Sequence, residues 1–467
     1  MGGLCMALVL GGAMALLPKM TAAAEPTFVS VSDVHLDPFT GTDADSRLLV
    51  ADVSEWPAIY SDVSISVATY GSDANVPLLD AMLGDAAQRV PSPDFVVYAG
   101  DSVVHRLADR VRAVDAGAGQ EQVTDMAVKI TAYLARRLSD TFADVPVLFA
   151  LGNTDAGCGD YQVEPAGRYL ARTFPVMRTL VGADLLEPDA EATWRAGGYY
   201  AARHPTIART TVIVLNTVLW SPKYENRCDP AGGERRAPGD AMLAWLQDRL
   251  AAAGSAGERV WLIYHVPAGV DAYSTAHSKP GDATCAAHTV AFWREPYATA
   301  FANLMTSYGA IVATAFSGHI HRDSWRLFSG SDGTPVTFES IVPSVSPIFG
   351  NAPAYQVFAY DTSDGPLLEK TTFAVTDLPK AASGEAAVIE ELYAFTNAYR
   401  LAPFGASSLA DVTAALAHNA PSSDRTLYAK FYGSGHGDDP ETDWPVYGCA
   451  PGAVTAEDFD ACRCRAR

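Results

Sequence analysis

Seven polar side chains in this sequence stand at the ends of apolar runs, and their types suit metal coordination. "SVSDVHLDP" carries Asp33 and His35, two apart and so on one side of an extended segment. "YAGDSVVH" gives Asp101, with His105 four residues on. "LGNTD" supplies Asn153, "IYHVPAG" His265, and "SGHIHRDS" His319 and His321. Each motif alone is ordinary: Asp-x-His is commonly a surface pair, and Gly-Asn a turn. Five in order, each after an apolar run, point to a metal site. Imidazole and carboxylate without thiolate suit zinc, manganese or iron. The set is too large for one tetrahedral zinc and fits two divalent ions sharing a bridge. Asp101 is the natural bridge, because a carboxylate can divide two oxygens between two ions. Two such ions carry four positive charges, and Asp33, Asp101 and a hydroxide cancel three. Asn153, a neutral ligand, preserves the remainder, so the pocket can polarise a phosphate ester.

The elements that must deliver these residues follow from the pattern. "TFVSVSD", "DFVVYAGD", "VPVLFALGN", "TTVIVLN", "RVWLIYH" and "IVATAFSGH" read as buried strands. Amphipathic stretches lie between them, among them "VPLLDAMLGDAAQRV", "EQVTDMAVKITAYLARRLSD", "GDAMLAWLQDRLAAA" and "EPYATAFANLMTSYG". Strand–helix alternation predicts an α/β layered domain, whose ligand sites form at the carboxyl ends of strands. "SWRLFS", "PVTFES" and "AYQVFAYD" read as further strands, antiparallel ones. From about Ser383, "GEAAVIEELYAFTNAYRLA", "SLADVTAALAHNA" and "DRTLYAKFYGSG" read as helices of a small appendage.

Composition sets the bounds. A chain of 467 residues, 49% hydrophobic, suffices for a large core. A net charge of −21 repels nucleic-acid phosphates and anionic lipid. The run from Leu4 to Leu17, followed by Ala22-Ala23-Ala24, reads as a secretory signal peptide over residues 1–24. No other stretch is apolar enough to span a bilayer, so the mature chain is expected to be secreted or periplasmic, without stable membrane insertion. The remaining cysteines are Cys158, Cys228, Cys285, Cys449, Cys462 and Cys464. An even set in an oxidising compartment suggests up to three disulfides. The expected pairs are Cys449 with Cys462 or Cys464, and Cys228 with Cys285.

Asp-x-His, Gly-Asp, Gly-Asn, His and Gly-His-x-His, in that order, resemble the calcineurin-like metallophosphoesterases. "GDSVVH", "SGHIHRDSWRLF", "VPSVSPIFGNAPAYQVFAYD" and the cysteine-bearing tail narrow the resemblance to the acid sphingomyelinase-like phosphodiesterases, from Phe28 to the C-terminus. The resemblance implies a four-layer sandwich of two mixed sheets flanked by helices. Its catalytic domain would span 25–382, with a small helical subdomain at 383–467. It implies one ion on Asp33, His35, Asp101 and His321, and another on Asp101, Asn153, His265 and His319, with zinc the family's usual metal. The implied reaction is hydrolysis of a phosphate ester or anhydride by in-line attack of metal-activated water, with Asp101 and His105 as catalytic residues.

The chain departs from the family twice. Members often carry histidine after the Gly-Asn, where it assists the leaving group, and here that position is Thr154. The apolar N-terminus also runs almost directly into the first strand, leaving no room for a saposin-like lipid module. His105 is then the expected proton donor, since imidazole titrates near neutral pH. Several answers to the gap at Thr154 stay open: His105 alone, Asp155, His277 or His288, or a leaving group that needs little help. Thr154 and Asp155 are candidate substrate contacts, and Trp220, Tyr224 and Phe349 candidate stacking residues. Soluble phosphodiesters or nucleotides, including CDP-alcohols, are the expected substrates. A sphingomyelin or lysophospholipid phosphodiesterase is the alternative, and a non-catalytic binding protein the third reading.

Overall fold

Phe28 marks the plane where two sheets meet. In a computed structural model, described over residues 25–225, 236–278, 288–437 and 440–465, its ring stacks on Phe358 and Phe95. It also meets Trp261 and Phe316 edge-on, with centroids 5.6 Å away in each case. All five rings are buried. Burying one such ring contributes roughly 1.5–3 kcal/mol, so this block anchors the sandwich.

The described strands are β1 (Thr27–Val31), β2 (Val96–Tyr98), β3 (Val147–Phe149), β4 (Tyr200–Arg203), β5 (Thr210–Val214) and β6 (Arg259–Ile263). They continue with β7 (Val312–Ser317), β8 (Ser324–Ser329), β9 (Pro335–Ile341), β10 (Ala354–Tyr360), β11 (Leu367–Val375) and β12 (Ile389–Ala394). One sheet runs β12-β11-β10-β1-β2-β3, the other β4-β5-β6-β7-β9-β8. In the first, β1, β2 and β3 are parallel and β10, β11 and β12 pair antiparallel. In the second, β5, β6, β7 and β9 are parallel, with β4 and β8 antiparallel at the edges. Both sheets are mixed. The helices Val76–Arg89 and Arg168–Val181 flank the first sheet, with Gln120–Thr141 packed on both helices, and Ala237–Ala256 and Tyr297–Tyr308 flank the second. The expected α/β fold of two mixed sheets flanked by helices is the one observed.

The tail differs in one element. "GEAAVIEELYAFTNAYRLA" reads as a helix, but it holds β12 and only the short helix Phe395–Tyr399. Ile389 and Tyr393 are buried against β11 while Glu390 and Glu391 face solvent. That is the pattern of a charged edge strand, which discourages pairing with another chain. The helices Ala406–Leu416 and Ser423–Tyr432 form as expected and pack on β8, with Trp325 Nε1 donating to Thr413 Oγ1 at 2.9 Å. Cys449 is bonded to Cys462, and Cys158 and Cys464 are also disulfide-bonded. The signal peptide and the Cys228–Cys285 pair lie outside the described residues. Among the described residues, no helix is long and apolar enough to cross a membrane.

Candidate metal centre

Parallel strands end where their last carbonyls face the next strand, and the turns beyond them converge. β1 hands over to Asp33 and His35, β2 to Asp101, β3 to Asn153, β6 to His265, and β7 to His319 and His321. The structure brings all seven together. His265 Nε2 lies 3.0 Å and His35 Nε2 3.3 Å from Asp101 Oδ2. His265 Nε2 is also 3.1 Å from Asn153 Oδ1. His321 Nε2 is 3.3 Å from Asp33 Oδ1 and 3.1 Å from His35 Nε2. Three metal-sized groups result among the described residues: Asp33/His35/His321 and Asp101/His265/His319 from these seven, and His35/Asp73/His105, which joins His35 to its neighbours.

The chemistry of this donor set fits cations. His35 Nδ1 faces Val103 O at 3.2 Å and His265 Nδ1 faces Ala99 O at 2.7 Å. A carbonyl only accepts, so each Nδ1 holds a proton and each Nε2 faces inward. Burial, and then the charge of His105, push the His35 imidazole down to about 4. Burial opposes ionisation of Asp101, but His265 and His35 hold its carboxyl well below the usual range. Burial opposes a charged His265, but Asp101 and Asp33 raise its imidazole to about 9. The buried carboxylates thus draw positive charge into the shared space, from His265 itself or from an ion. Only positive charge satisfies that arrangement.

The ligand turns are not extended. Asp33, His35, Asp101, His319 and His321 have φ of 51°, 45°, 60°, 72° and 56°, all in the left-handed region. Asp33 and His35 therefore converge through coiled backbone rather than by strand alternation. Such residues cost roughly 1–3 kcal/mol each and persist only where surroundings hold them. Asp155 is one such hold. Its Oδ2 accepts from Asp101 N and Gly152 N, and its Oδ1 from Ser102 N and Val103 N, at 2.8–3.2 Å. Close approach is the second condition. A Cβ on Gly152 would collide with Asp101 Oδ1, and one on Gly318 with Ser32 Oγ and Asp33 Oδ2.

Thr154 and Asp155 are therefore not presented to substrate. They are 5% and 0% exposed. Thr154 donates through both N and Oγ1 to Asp101 Oδ1, while Asp155 clamps the backbone. Trp220 and Tyr224 are likewise buried and cannot stack on a ligand. Trp220 packs among Trp293, Tyr297 and Phe301, and Tyr224 Oη donates to Val163 O. Phe349 is 53% exposed and sits edge-on to His105 and His321, as a site aromatic should. His277 turns its ring back onto Tyr273 O, and neither it nor His288 joins the described ligand clusters.

Three further residues shape the site. Asp73 Oδ1 lies 2.8 Å from His105 Nδ1, and the His105 ring stacks on His35 at 4.0 Å. Burial works against a charged His105, but the Asp73 hydrogen bond and charge raise its pKa overall. Asp160 Oδ1 accepts from Asn153 Nδ2 at 2.7 Å, which turns the Asn153 carbonyl oxygen inward. Tyr161 Oη lies 3.1 Å from His319 Nε2. The sequence carries a signal for the last two, because Asp160 and Tyr161 close the loop that Asn153 opens. A cavity of about 410 Å³ adjoins His319. Lys223 and Arg322 supply cations to its lining, and Phe292, Phe349, Tyr428 and Tyr432 supply rings.

No family model matches the chain. The chain is 26% identical over 416 residues to acid sphingomyelinase-like phosphodiesterase 3b of Mus musculus, covering 86% of this chain and 82% of that protein. It is 26% identical over 431 residues to the cyclic GMP-AMP phosphodiesterase SMPDL3A of Rattus norvegicus, covering 89% of this chain and 85% of that protein. Among solved structures, a dimetal phosphatase from Danio rerio aligns with a TM-score of 0.38 and 14% identity, covering 75% of this chain and 95% of that one.

Proposed function

We propose that this chain, whose relatives are acid sphingomyelinase-like phosphodiesterases, hydrolyses soluble phosphodiesters or phosphoanhydrides of nucleotide or CDP-alcohol type. The observation that carries the reading is the convergence of seven ligand-type side chains from two sheets on the Asp101 carboxylate. In this reading Asp33, His35, Asp101 and His321 hold one divalent ion, and Asp101, Asn153, His265 and His319 hold the other. Zinc is the metal that best suits the set, with manganese or iron the alternatives. When bound, the ions supply positive charge for the phosphoryl oxygens and make water acidic enough to attack near neutral pH.

The chain's own residues do the rest. His105 holds a proton for the departing oxygen, and Asp73 keeps its Nδ1 engaged so that Nε2 is the atom free to donate. Thr154 fixes Asp101 and Asp160 fixes Asn153, so the inward oxygens keep their direction. The aromatic lining of the cavity suits a base or another flat group, and Tyr428, Tyr432 and Tyr447 come from the C-terminal helical segment. Residues 25–382 would then form the catalytic domain and 383–467 its wall. The apolar N-terminus and the disulfides support export to an oxidising compartment.

One observation favours a second reading, a lipid phosphodiesterase. Tyr273 and Phe349 are both 53% exposed and both line the cavity, as residues that meet acyl chains would. Metal analysis and turnover decide. Protein loaded with zinc should hold about two equivalents and hydrolyse bis-p-nitrophenyl phosphate, and Asp101→Asn should abolish turnover. Protein inert after zinc, manganese or iron loading would sink both readings. Preference for sphingomyelin vesicles over CDP-choline would select the second.

A further inference from the structure

One cation in the cavity, Lys223, makes no hydrogen bond or ion pair through its ammonium among the described residues, though its charge reaches the Asp160 carboxylate. Lys223 follows the buried turn Thr217–Trp220, and its backbone is fixed against the Asn153 loop. Lys223 N donates to Ser221 Oγ at 3.2 Å, Tyr224 Oη to Val163 O at 3.2 Å, and Glu225 N to Tyr161 O at 3.0 Å. The ammonium stands 5.3 Å from the centroid of the Tyr161 ring. Since the Tyr161 hydroxyl meets His319, Lys223 is one ring away from the Asp101/His265/His319 group. His105 adjoins the Asp33/His35/His321 group through its stack on His35. The two residues therefore flank different ends of the metal centre.

The arginines of the same lining are occupied. Arg326 gives Nε and both terminal nitrogens to the carbonyls of Ala268, Trp325 and Val270. Arg322 donates to His321 O, Phe349 O and Asn351 Oδ1. Lys223 makes no such bond among the described residues and no ion pair, although the chain carries a net charge of −21. An ammonium parked over a ring keeps some stabilisation while remaining available to an anion.

A simple phosphodiester brings a single negative charge, which the metal centre takes. A second cation further along the cavity gains from substrate only if another anionic group follows the reacting phosphorus. A diphosphate linkage is such a group. We propose that Lys223 is the subsite for the second phosphoryl group, making it the residue by which this chain prefers nucleotide anhydrides to simple diesters. The inference rests on the hydrolase reading above and deepens it. In the reaction, water oxygen bonds to the nearer phosphorus and the bridging P–O bond breaks. The electron pair stays on the departing phosphate oxygen, and a proton from water is released. Negative charge builds on the departing phosphate oxygen as the bridge breaks, until the His105 proton reaches it, and Lys223 faces that charge.

The test compares zinc-loaded wild type, Lys223→Met and Lys223→Arg. One readout is the ratio of kcat/KM for CDP-choline to that for bis-p-nitrophenyl phosphate. The other is calorimetric binding of α,β-methylene-ADP, which cannot be cleaved between its phosphorus atoms. Lys223→Met should lower the ratio about 10- to 100-fold, chiefly through KM, and weaken the analogue's Kd by a similar factor. Arginine should restore both to within about threefold, since it keeps the charge. A ratio and a Kd that move less than about twofold, or two substrates that fall together, overturn the role of Lys223. Wild type that cleaves neither substrate refutes the hydrolase reading instead, and the analogue's Kd in the two variants then decides on Lys223 alone.

Discussion

Thr154 grips the same Asp101 oxygen twice, through its backbone N–H at 2.8 Å and its hydroxyl at 3.0 Å. The position where the family resemblance implies a proton-donating histidine is here a buried clamp on the carboxylate that both His35 and His265 approach. Removing the hydroxyl leaves a charged acceptor short of one bond, which costs about 1.5–3 kcal/mol. Thr154→Val should therefore weaken zinc binding by about tenfold or more. Thr154→Ser should stay close to wild type. Competition against a chromogenic chelator measures both, and equal affinity for Val and Thr would refute the clamp.

Asp73 raises the pKa of His105, so the protonated acid survives to higher pH with it than without it. A group needed in its protonated form fails as pH rises through its pKa. Asp73→Asn should move the alkaline limb of kcat/KM to lower pH and reduce the plateau by about tenfold. His105→Ala should cost on the order of 10²–10⁴ in rate while metal content persists. A full pH profile of each variant decides, and an unmoved alkaline limb in Asp73→Asn removes the proposed pairing.

Asp323, two residues after His321, is tied to the opposite sheet. Its Oδ1 accepts from Lys370 Nζ at 2.7 Å, and its Oδ2 accepts from Thr372 Oγ1 at 2.7 Å and Tyr393 Oη at 2.8 Å. Lys370 is 0% exposed, so removing it strands a buried carboxylate. Lys370→Met should cost roughly 3–5 kcal/mol in urea unfolding. The double change Asp323→Leu, Lys370→Met should recover part of that, because no lone charge remains. A single variant as stable as wild type would show that the pair holds nothing.

His204 offers a pH test away from the metal centre. Its Nδ1 accepts from Ile207 N at 3.1 Å, its ring lies between Phe95 and Trp261, and burial pushes its pKa down to about 3. The unfolded chain takes up this proton near pH 6.5, the folded chain only near 3. Stability from the neutral ring is thus complete above about pH 6.5 and falls as pH drops toward 3, by up to roughly 1.4 kcal/mol per unit. His204→Gln should remove that slope. The difference between wild-type and variant unfolding energies at pH 7 and pH 4.5 measures it, and a constant difference would contradict the assignment.

The strand ends were the most legible part of the site. Val29, Val31, Val97 and Ile263 make buried runs that stop abruptly, and the polar residue after each stop is conspicuous. Asp73 was invisible for the opposite reason: it lies in the irregular stretch before the helix Val76–Arg89, with no apolar run to mark it. Thr154 and Asp155 were misread because adjacency to Asn153 in sequence suggested a shared target. The backbone turns there, sending Thr154 to Asp101 and Asp155 into the loop amides. Glu390 and Glu391 misled the reading of β12, since a charged edge strand looks like the polar face of a helix. Trp220 and Tyr224 showed that an aromatic after a strand is decided by packing, which no local pattern records.

The ligand set draws Asp33, His35, Asp101 and Asn153 from one sheet and His265, His319 and His321 from the other. An ion bound among them would act as a rivet through the sandwich. The sheets could not then slide or part without first tearing out the rivet, so thermal failure of the fold and release of metal would become one event. Chelator would then set the speed of unfolding as well as the rate of catalysis, and the most reactive spot in the molecule would be its strongest joint.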